Sequence, residues 1–311
     1  MSDQWIFHAN GKLLITGEYL VLEGARGLAL PLTKGQHMQV NTLAGKILRW
    51  EAFSPGGLWF EATFSLPDLN IISTSDLALA EKLHEILSEV FCDFLFQKNQ
   101  GFHIITRLDF NPLHGFGSSA TLVSLLAQWI GLDAFKLHHK LFGGSGYDIA
   151  CATASGPIVY SIKNQHPLIT PTHFFPSFHQ QIYFVYLGNK QQSSREIARF
   201  KKQSKFKPTD IEHVNSLTEA VCHATNLDEM EFALMEHEAL LSVILKKPVI
   251  KQERFKNFQG VVKSLGAWGG DFVMATTRKD KNSFVDEMKQ SGFEVVYPFA
   301  ELVLSRSSKI V

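Results

Sequence analysis

Residues 111–121 read Asn-Pro-Leu-His-Gly-Phe-Gly-Ser-Ser-Ala-Thr, and the apolar run that follows to Ile130 predicts a buried helix. Pro112 and the two glycines Gly115 and Gly117 interrupt regular structure before that helix. The first backbone N–H groups of a helix have no acceptor within it, and together with the helix dipole they favour an anion, most often phosphate. The stretch therefore predicts either a phosphate-binding turn or an ordinary Gly-Ser cap on a core helix.

Two serines, Ser118 and Ser119, fall at the cap or first turn of this helix. Their hydroxyls can cap the helix, bind a phosphate oxygen or ligate a magnesium ion. A second glycine turn, Gly143–Gly146, opens a helix of small residues that carries one carboxylate, Asp148. The helix dipole favours a carboxylate in the first turn, so Asp148 is either structural or, beside a phosphate site, a base or a metal ligand.

Composition limits the classes of protein that the chain can form. Its 311 residues suffice for about two domains, and 45% hydrophobic with 19% charged residues is typical of a soluble globular protein. Lys plus Arg equals Asp plus Glu at 30 each, which gives no overall field for nucleic acid or an anionic membrane. Three widely spaced cysteines suit reduced thiols, and no signal peptide or membrane-spanning run is seen, so we expect a cytoplasmic protein.

The order of the predicted elements favours an α+β fold, because strands and helices are grouped and do not alternate strictly. Strands are predicted from 4 to 40 with turns between them, across 36–64 as hairpins, and at Phe102–Leu108, Pro157–Ile162, Gln181–Leu187, Phe272–Thr276, Glu294–Tyr297 and Glu301–Ser305. Helices are predicted from Asp76 to Phe96, over Ala120–Ile130 and Ala134–Phe142, from Thr209-Asp210 onward with a break near Asn226, and over Glu253–Ser264 and Asn282–Gln290. Residues 163–180 are predicted to connect two domains.

Several familiar routes to catalysis are absent from the sequence. There is no P-loop motif and no His-Arg-Asp set of a protein kinase. The run Gly143-Gly144-Ser145-Gly146-Tyr147 lacks the last glycine of the nucleophile turn in α/β-hydrolases. A nucleotide site, if present, must therefore use a different glycine motif.

Four glycine-containing motifs occur in a fixed order along the chain. They are Gly11-Lys12 with Gly17-Glu18, Pro112 through Ala120, Ser145-Gly146-Tyr147-Asp148, and Gly266 through Asp271. In this order and spacing the set resembles the GHMP kinase superfamily, named for galactokinase, homoserine kinase, mevalonate kinase and phosphomevalonate kinase. The resemblance covers nearly the whole chain. It is greatest to the mevalonate-pathway kinases, through residues 11–23, 146–150 and 156–160.

The resemblance implies an ATP-dependent kinase with magnesium, acting on phosphomevalonate or mevalonate in isoprenoid precursor synthesis. It also implies a two-domain α+β fold: a ribosomal-S5-like ATP-binding domain over 1–165, a ferredoxin-like domain over 166–311, and the active site between them. Its partner would be the small-molecule acceptor, and the sequence leaves the oligomeric state open, a homodimer included. Two alternatives stand beside this one: a GHMP kinase for a sugar or homoserine, and a nucleotide-binding regulator that has lost turnover.

The resemblance also implies roles for individual residues. The turn from Gly115 through Gly117, Ser118 and Ser119 to Ala120 would wrap the ATP phosphates, and a serine, in particular Ser119, would touch magnesium. Asp148 would be the base on the acceptor hydroxyl, and Lys12 would lower the pKa of that hydroxyl or steady the transferring phosphoryl group. The residues implied for acceptor binding are Glu18, Tyr147, Lys190, Ser193, Arg195, Gly266, Trp268 and Gly269.

The sequence departs from the family pattern at three places. Trp268 stands where the family usually has a glycine, and we expect it to narrow the substrate cleft. Leu113-His114 is a bulkier start to the phosphate turn than usual. Where mevalonate kinases carry a magnesium-binding glutamate before the third motif, this chain has only His138, His139 and Lys140.

Overall fold

The structure is a computed structural model that describes residues 3–92, 100–188, 193–203, 205–266, 268 and 270–305, without the side chains of 193–195 and 203. These residues form two compact units. Unit 1 contains residues 3–11 and 34–153, and unit 2 contains residues 12–33 and 154–305. Residues 12–33 thus pack with the C-terminal part of the chain. The continuous domains 1–165 and 166–311 stay a prediction.

Regular elements cover most of the described residues. The strands are β1 (Gln4–Leu14), β2 (Gly27–Ala44), β3 (Ile47–Ser54), β4 (Gly57–Ser65), β5 (Ile71–Thr74), β6 (Gln100–Leu108), β7 (Ile158–Lys163), β8 (His166–Pro171), β9 (Ile182–Tyr186), β10 (Val262–Ser264), β11 (Phe272–Thr276) and β12 (Val296–Pro298). The α-helices are α1 (Leu77–Phe91), α2 (Ser118–Ile130), α3 (Ala134–Phe142), α4 (Tyr147–Thr153), α5 (Ser193–Gln203), α6 (Pro208–His223), α7 (Leu227–Leu245), α8 (Ile250–Arg254), α9 (Lys281–Gln290) and α10 (Phe299–Leu302). None of the helices in the described part of the chain is both long and apolar enough to cross a bilayer.

Unit 1 is a sheet that packs against helices. Its strands follow the order β5-β4-β3-β6-β2, with β1 paired to β2, and β3 is parallel to β6. Along β3 the alternate residues Leu48, Trp50 and Ala52 are buried, as expected for a strand with one face on a core. Leu87 of α1 and Leu126 of α2 belong to the same core, so the helices cover that face.

Unit 2 contains a four-stranded antiparallel sheet in the order β10-β11-β9-β12. Every residue of β11 is buried, which matches its continuous apolar sequence. Its core includes Val185 of β9, Val273 of β11 and Phe284 of α9. Strands β7 and β8 form a hairpin, and β7 also pairs with Gly27–Ala29 at the start of β2.

Helix ends follow local sequence signals closely. The side chains of Asp76 and Asn226 cap α1 and α7, each accepting from the backbone N–H three residues later at 3.0 Å. The predicted end of α1 at Phe96 lies outside the described residues. Helix α6 begins at Pro208, slightly before the predicted cap, because Asp210 is its third residue and accepts from the Lys207 N–H at 2.7 Å.

Elements that depend on distant pairing were predicted wrongly. The helix expected over Glu253–Ser264 is two elements, since α8 ends at Arg254 and β10 follows because it pairs with β11. Gly260 lies between α8 and β10, where its backbone passes close to that of Thr276. A Cβ atom at this position would lie 2.0 Å from the Thr276 carbonyl oxygen. Tertiary pairing thus overrides the helical pattern of this segment.

Two further segments also differ from the sequence prediction. The stretch 163–180, predicted as a connection, contains β8, and its turn residues Asn164 and Gln165 have φ of 52° and 64°. Left-handed geometry at both central residues is typical of a two-residue hairpin turn. The strand predicted over Glu301–Ser305 is instead the end of α10 followed by a single bridge at Val303.

Candidate active site

The glycine turn ends in a helix start whose backbone N–H groups have no intrahelical acceptor. Gly117 occupies the cap position in the left-handed region (φ 94°, ψ 37°) and supplies no capping side chain. The first helical hydrogen bond runs from the Thr121 N–H to the Gly117 carbonyl at 3.0 Å, so the amides of Ser118, Ser119 and Ala120 precede the bonded ladder. The arrangement matches an anion site, and the serines lie in the first turn, not at the cap.

Buried aromatic packing anchors this turn. Phe116 is completely buried and meets Phe110 edge to face, with ring centroids 5.4 Å apart. The Leu113 N–H donates to the Asn111 side chain at 2.9 Å, closing the start of the turn. Burial also lowers the pKa of His114, which therefore favours its neutral form. Of the bulky Leu113-His114 pair, only His114 is buried and packs inside the turn, whereas Leu113 is exposed.

Asp148 lies in the first turn of α4, as predicted, and is paired with a histidine. His138 of α3 brings its Nε2 atom to 3.4 Å from Asp148 Oδ2. The His138 side chain is 9% exposed and that of Asp148 is 21% exposed, so the pair is only partly accessible to solvent. Asp148 Oδ1 accepts from the Ile149 N–H at 3.1 Å. Within unit 1, α2 packs against both α3 and α4.

Sequence reasoning noted His138 only as part of a segment without the expected glutamate. Its pairing with Asp148 joins residues ten positions apart on two different helices, so the contact has no local signature in the sequence. The sequence feature that could have identified this contact is a histidine in the helix that precedes the candidate base Asp148. The structure places His138 Nε2 next to the Asp148 carboxylate.

The other predicted catalytic residue is Lys12. It lies near the end of β1 and its side chain is half-buried. Tyr147, the first residue of α4, is half-buried as well. Lys12 belongs to unit 2 and Asp148 to unit 1, and their joint action on one acceptor stays a prediction.

Glu18 is part of a buried polar cluster, formed by Glu18, His237, Glu238, Lys263 and Ser264. Lys263 donates to Glu18 Oε1 and lies 3.8 Å from Glu238 Oε2. Glu238 accepts from the Ser264 hydroxyl at 2.9 Å, and His237 Nε2 accepts from the Gly17 N–H at 2.9 Å. Glu18 is only 1% exposed. Its carboxylate joins segment 12–33 to β10, and its predicted role in acceptor binding stays a prediction.

The charge states of the cluster follow from burial. Desolvation raises the pKa of Glu18 to about 7, even though Lys263 opposes the shift. Desolvation also raises the pKa of Glu238, again against the attraction of Lys263. Burial, reinforced by Lys263, lowers the pKa of His237 well below its ordinary value, so that imidazole is neutral. Because its Nε2 accepts a hydrogen bond, the proton of neutral His237 lies on Nδ1.

Trp268 is a buried residue of unit 2, and its predicted effect on a substrate cleft stays a prediction. Its side chain is 4% exposed and packs in a core cluster of unit 2 with Tyr19 and Phe200. The indole N–H donates to the Pro248 carbonyl at 3.2 Å, and the Trp268 backbone N–H donates to the Tyr19 hydroxyl at 3.0 Å. The Trp268 side chain therefore fills core volume at a position where the family pattern predicts a glycine.

The structure describes only part of the remaining residues that are predicted to bind the acceptor. Lys190 and Gly269 lie outside the described residues. Ser193 and Arg195 fall in the first turn of α5, and their side chains are outside the description. Gly266 follows β10 with φ of 62°, a left-handed geometry suited to glycine. Their predicted roles stay predictions.

The donor set of unit 1 suits magnesium. Mg²⁺ prefers oxygen ligands, keeps several waters and usually binds through one or two carboxylates plus substrate phosphates. The exposed Ser119 hydroxyl and the Asp148 carboxylate, each in the first turn of a helix, are ligands of this type. His138 beside Asp148 is a nitrogen donor and is better suited to orienting the carboxylate.

Comparison with solved structures identifies the fold. Mevalonate kinase from Methanococcus jannaschii superposes with a TM-score of 0.72 at 14% identity, covering 97% of this chain and 99% of that one. Phosphomevalonate kinase from Streptococcus pneumoniae, in complex with phosphomevalonate and AMPPNP, gives 0.68 at 17% identity, covering 94% and 99%. The chain has the fold of the GHMP kinases. Galactokinase from Lactococcus lactis, complexed with galactose, shares this fold with a TM-score of 0.67 at 13% identity, covering 97% and 95%.

The GHMP kinase fold agrees with the predicted fold class, an α+β chain whose four motifs resemble that superfamily. Neither the protein-family models nor the curated proteins match the sequence. The fold is therefore established by structure at identities that leave the substrate open.

Proposed function

We propose that this protein is an ATP-dependent small-molecule kinase of the GHMP superfamily. The observation that carries the proposal is the helix start behind Gly117, where the backbone amides of Ser118, Ser119 and Ala120 precede the bonded ladder. Such a group of N–H donors at the positive end of a helix dipole is suited to the phosphates of ATP. Phosphoryl transfer depends on positioning and charge neutralisation more than on covalent chemistry, so a preformed turn supplies much of what the reaction needs.

Each side chain has a defined task in this proposal. Asp148 accepts the proton of the acceptor hydroxyl, and His138 holds the Asp148 carboxylate in the required orientation. Lys12 lowers the pKa of that hydroxyl or stabilises charge on the transferring phosphoryl group. Ser119 would hold Mg²⁺, which neutralises phosphate charge when bound.

The proposed acceptor is phosphomevalonate or mevalonate. Support comes from the sequence resemblance and from solved structures of both kinases among those with this fold. A galactokinase shares the fold too, so a sugar is the alternative acceptor. If Lys190 or Arg195 reads the phosphate of phosphomevalonate, replacing either by alanine should raise the KM for phosphomevalonate about tenfold, or 1.4 kcal/mol, and leave the KM for ATP unchanged.

The deciding experiment is a coupled ADP-release assay with mevalonate, phosphomevalonate, galactose and homoserine. Asp148→Asn and Lys12→Met should each lower kcat by about a hundredfold or more without a matching loss of melting temperature. Wild-type turnover in both variants, or inactivity explained by unfolding, would contradict the assignment. ATP binding without ADP release for any acceptor would favour the nucleotide-binding regulator.

A further inference from the structure

Three side chains of unit 1 form a cluster that the proposed kinase reaction does not use. His8 belongs to β1, His37 to β2, and Asp109 follows the last residue of β6 directly. Each offers one ligand atom, and these atoms all lie within 4.8 Å of one another. The two imidazoles have centroids 4.5 Å apart at an interplanar angle of 49°. Strand pairing thus brings together residues that are far apart in sequence.

The backbone around this His8–His37–Asp109 cluster fixes the position of the carboxylate. Asp109 Oδ2 accepts from the Gly35 N–H at 3.0 Å, and the Asp109 N–H donates to the Gly35 carbonyl at 3.0 Å. Gly35 also makes room for the first histidine. A Cβ atom at position 35 would lie 2.8 Å from His8 Nε2 and 2.3 Å from the Ala9 carbonyl oxygen. The glycine therefore allows the imidazole and the carboxylate to approach the same point.

The separation between His37 and Asp109 matches that of two ligands on one metal ion. For bonds of about 2.0–2.2 Å in a tetrahedral arrangement, two ligand atoms stand about 3.3–3.6 Å apart. His37 Nε2 lies 3.3 Å from Asp109 Oδ2, close to that separation. The side chains of His37 and Asp109 are 49% and 39% exposed, so an ion can reach them from solvent. His8 is exposed as well, and its ligand atom lies within 4.8 Å of the other two.

The donor chemistry selects the class of ion. Two imidazole nitrogens and one carboxylate oxygen suit zinc and related first-row divalent metals, whereas Mg²⁺ and Ca²⁺ prefer all-oxygen ligands. We propose that the His8–His37–Asp109 cluster binds one divalent transition-metal ion of the zinc class, with water in the remaining position.

Binding at this cluster has a structural consequence. The ion would tie β1, β2 and the end of β6 together two residues before the glycine turn begins at Asn111. Since the unfolded chain does not hold the three ligands together, the ion stabilises the folded state by mass action. Melting temperature should then rise with the concentration of free Zn²⁺.

The test is calorimetric titration of the full chain with ZnCl₂ and, in parallel, measurement of the visible absorption of bound Co²⁺. We expect one site, no displacement by a large excess of MgCl₂, and at least a tenfold weaker affinity in each of His8→Gln, His37→Gln and Asp109→Asn. Asn is chosen at position 109 because it keeps an oxygen acceptor for the Gly35 N–H. The matched control is His166→Gln, at an exposed histidine in β8, which should leave affinity unchanged.

Three outcomes would overturn the proposal. They are failure of Zn²⁺ to bind, binding that all three cluster variants retain, and binding that Mg²⁺ displaces. Circular dichroism of each variant separates a lost ligand from a lost fold: weaker Zn²⁺ binding with an unchanged spectrum supports the site. If His8→Gln and His37→Gln unfold the chain, Asp109→Asn together with the Co²⁺ spectrum of the native protein decides the question.

Discussion

Replacing Lys263 by methionine should destabilise unit 2 strongly, and the effect should depend on pH. Lys263 is completely buried, Glu18 is 1% exposed and Glu238 is 3% exposed. Methionine keeps most of the side-chain length and removes the charge that Glu18 faces. Breaking a buried pair in this way typically costs about 3–5 kcal/mol, because an uncompensated buried charge remains. We expect that loss in the free energy of unfolding at pH 8, measured by urea denaturation.

The pH dependence follows from the state of Glu18. Burial raises the pKa of Glu18 to about 7, so at pH 5 the carboxyl is protonated and loses little when Lys263 is removed. The double variant Glu18→Gln with Lys263→Met should recover part of the stability at pH 8, since the Glu18 charge is removed and the remaining carboxylate, Glu238, still accepts from the Ser264 hydroxyl at 2.9 Å. The matched surface control is Lys281→Met, whose partner Glu301 lies at 2.6 Å with both side chains more than half exposed. A loss for Lys263→Met no larger than that of the control would refute the reasoning.

Three further results are expected. Gly117→Ala should weaken ATP binding, measured by titration calorimetry. The control Gly131→Ala lies at the other end of α2 with a similar left-handed φ of 79° and should lower only stability. Equal ATP affinities of the two variants would mean that the turn is only a helix cap. His138→Ala should lower kcat more than about tenfold with the KM for ATP unchanged, and His138→Gln, which keeps a donor for Asp148, should restore part of it in steady-state assays; identical kinetics of the two variants would argue against a positioning role. The raised pKa of Glu18 means that the folded state binds the Glu18 proton more tightly than the unfolded state. The resulting contribution to the free energy of unfolding is full below pH 4.5 and disappears as pH rises to about 7. Glu18→Gln should therefore reduce the change of unfolding free energy with pH in urea titrations, and an unchanged pH dependence would contradict this.

Features set by neighbouring residues were predictable from the sequence. The caps at Asp76 and Asn226, the glycine turn before α2 and the first-turn position of Asp148 each depend on a few consecutive residues. The four ordered motifs indicated a fold that the solved structures share. This agreement reflects the local nature of capping and turn chemistry.

Features set by distant partners were not predictable. Val262–Ser264 continues a helical pattern and becomes a strand only because β11 lies beside it. The motif that contains Glu18 predicts a role in acceptor binding. The structure shows that Glu18 pairs with Lys263, which is 245 residues away. Trp268 likewise depends on a distant contact, since its backbone N–H donates to the Tyr19 hydroxyl. A single sequence contains no signal for such pairings, since each residue type alone is compatible with several environments.

The discontinuous composition of unit 2 affects how the chain folds during synthesis. Segment 12–33 leaves the ribosome early, but the lysine that neutralises Glu18 follows 245 residues later. At translation rates of about 5–20 residues per second, this interval lasts about 12–50 s. Unit 1 is complete at Thr153, and throughout the remaining time the acidic residue and its apolar neighbours Tyr19 and Leu20 stay in water without their final partners. Segment 12–33 thus cannot complete its buried ion pair before Lys263 has been synthesised, and unit 2 forms only after that point.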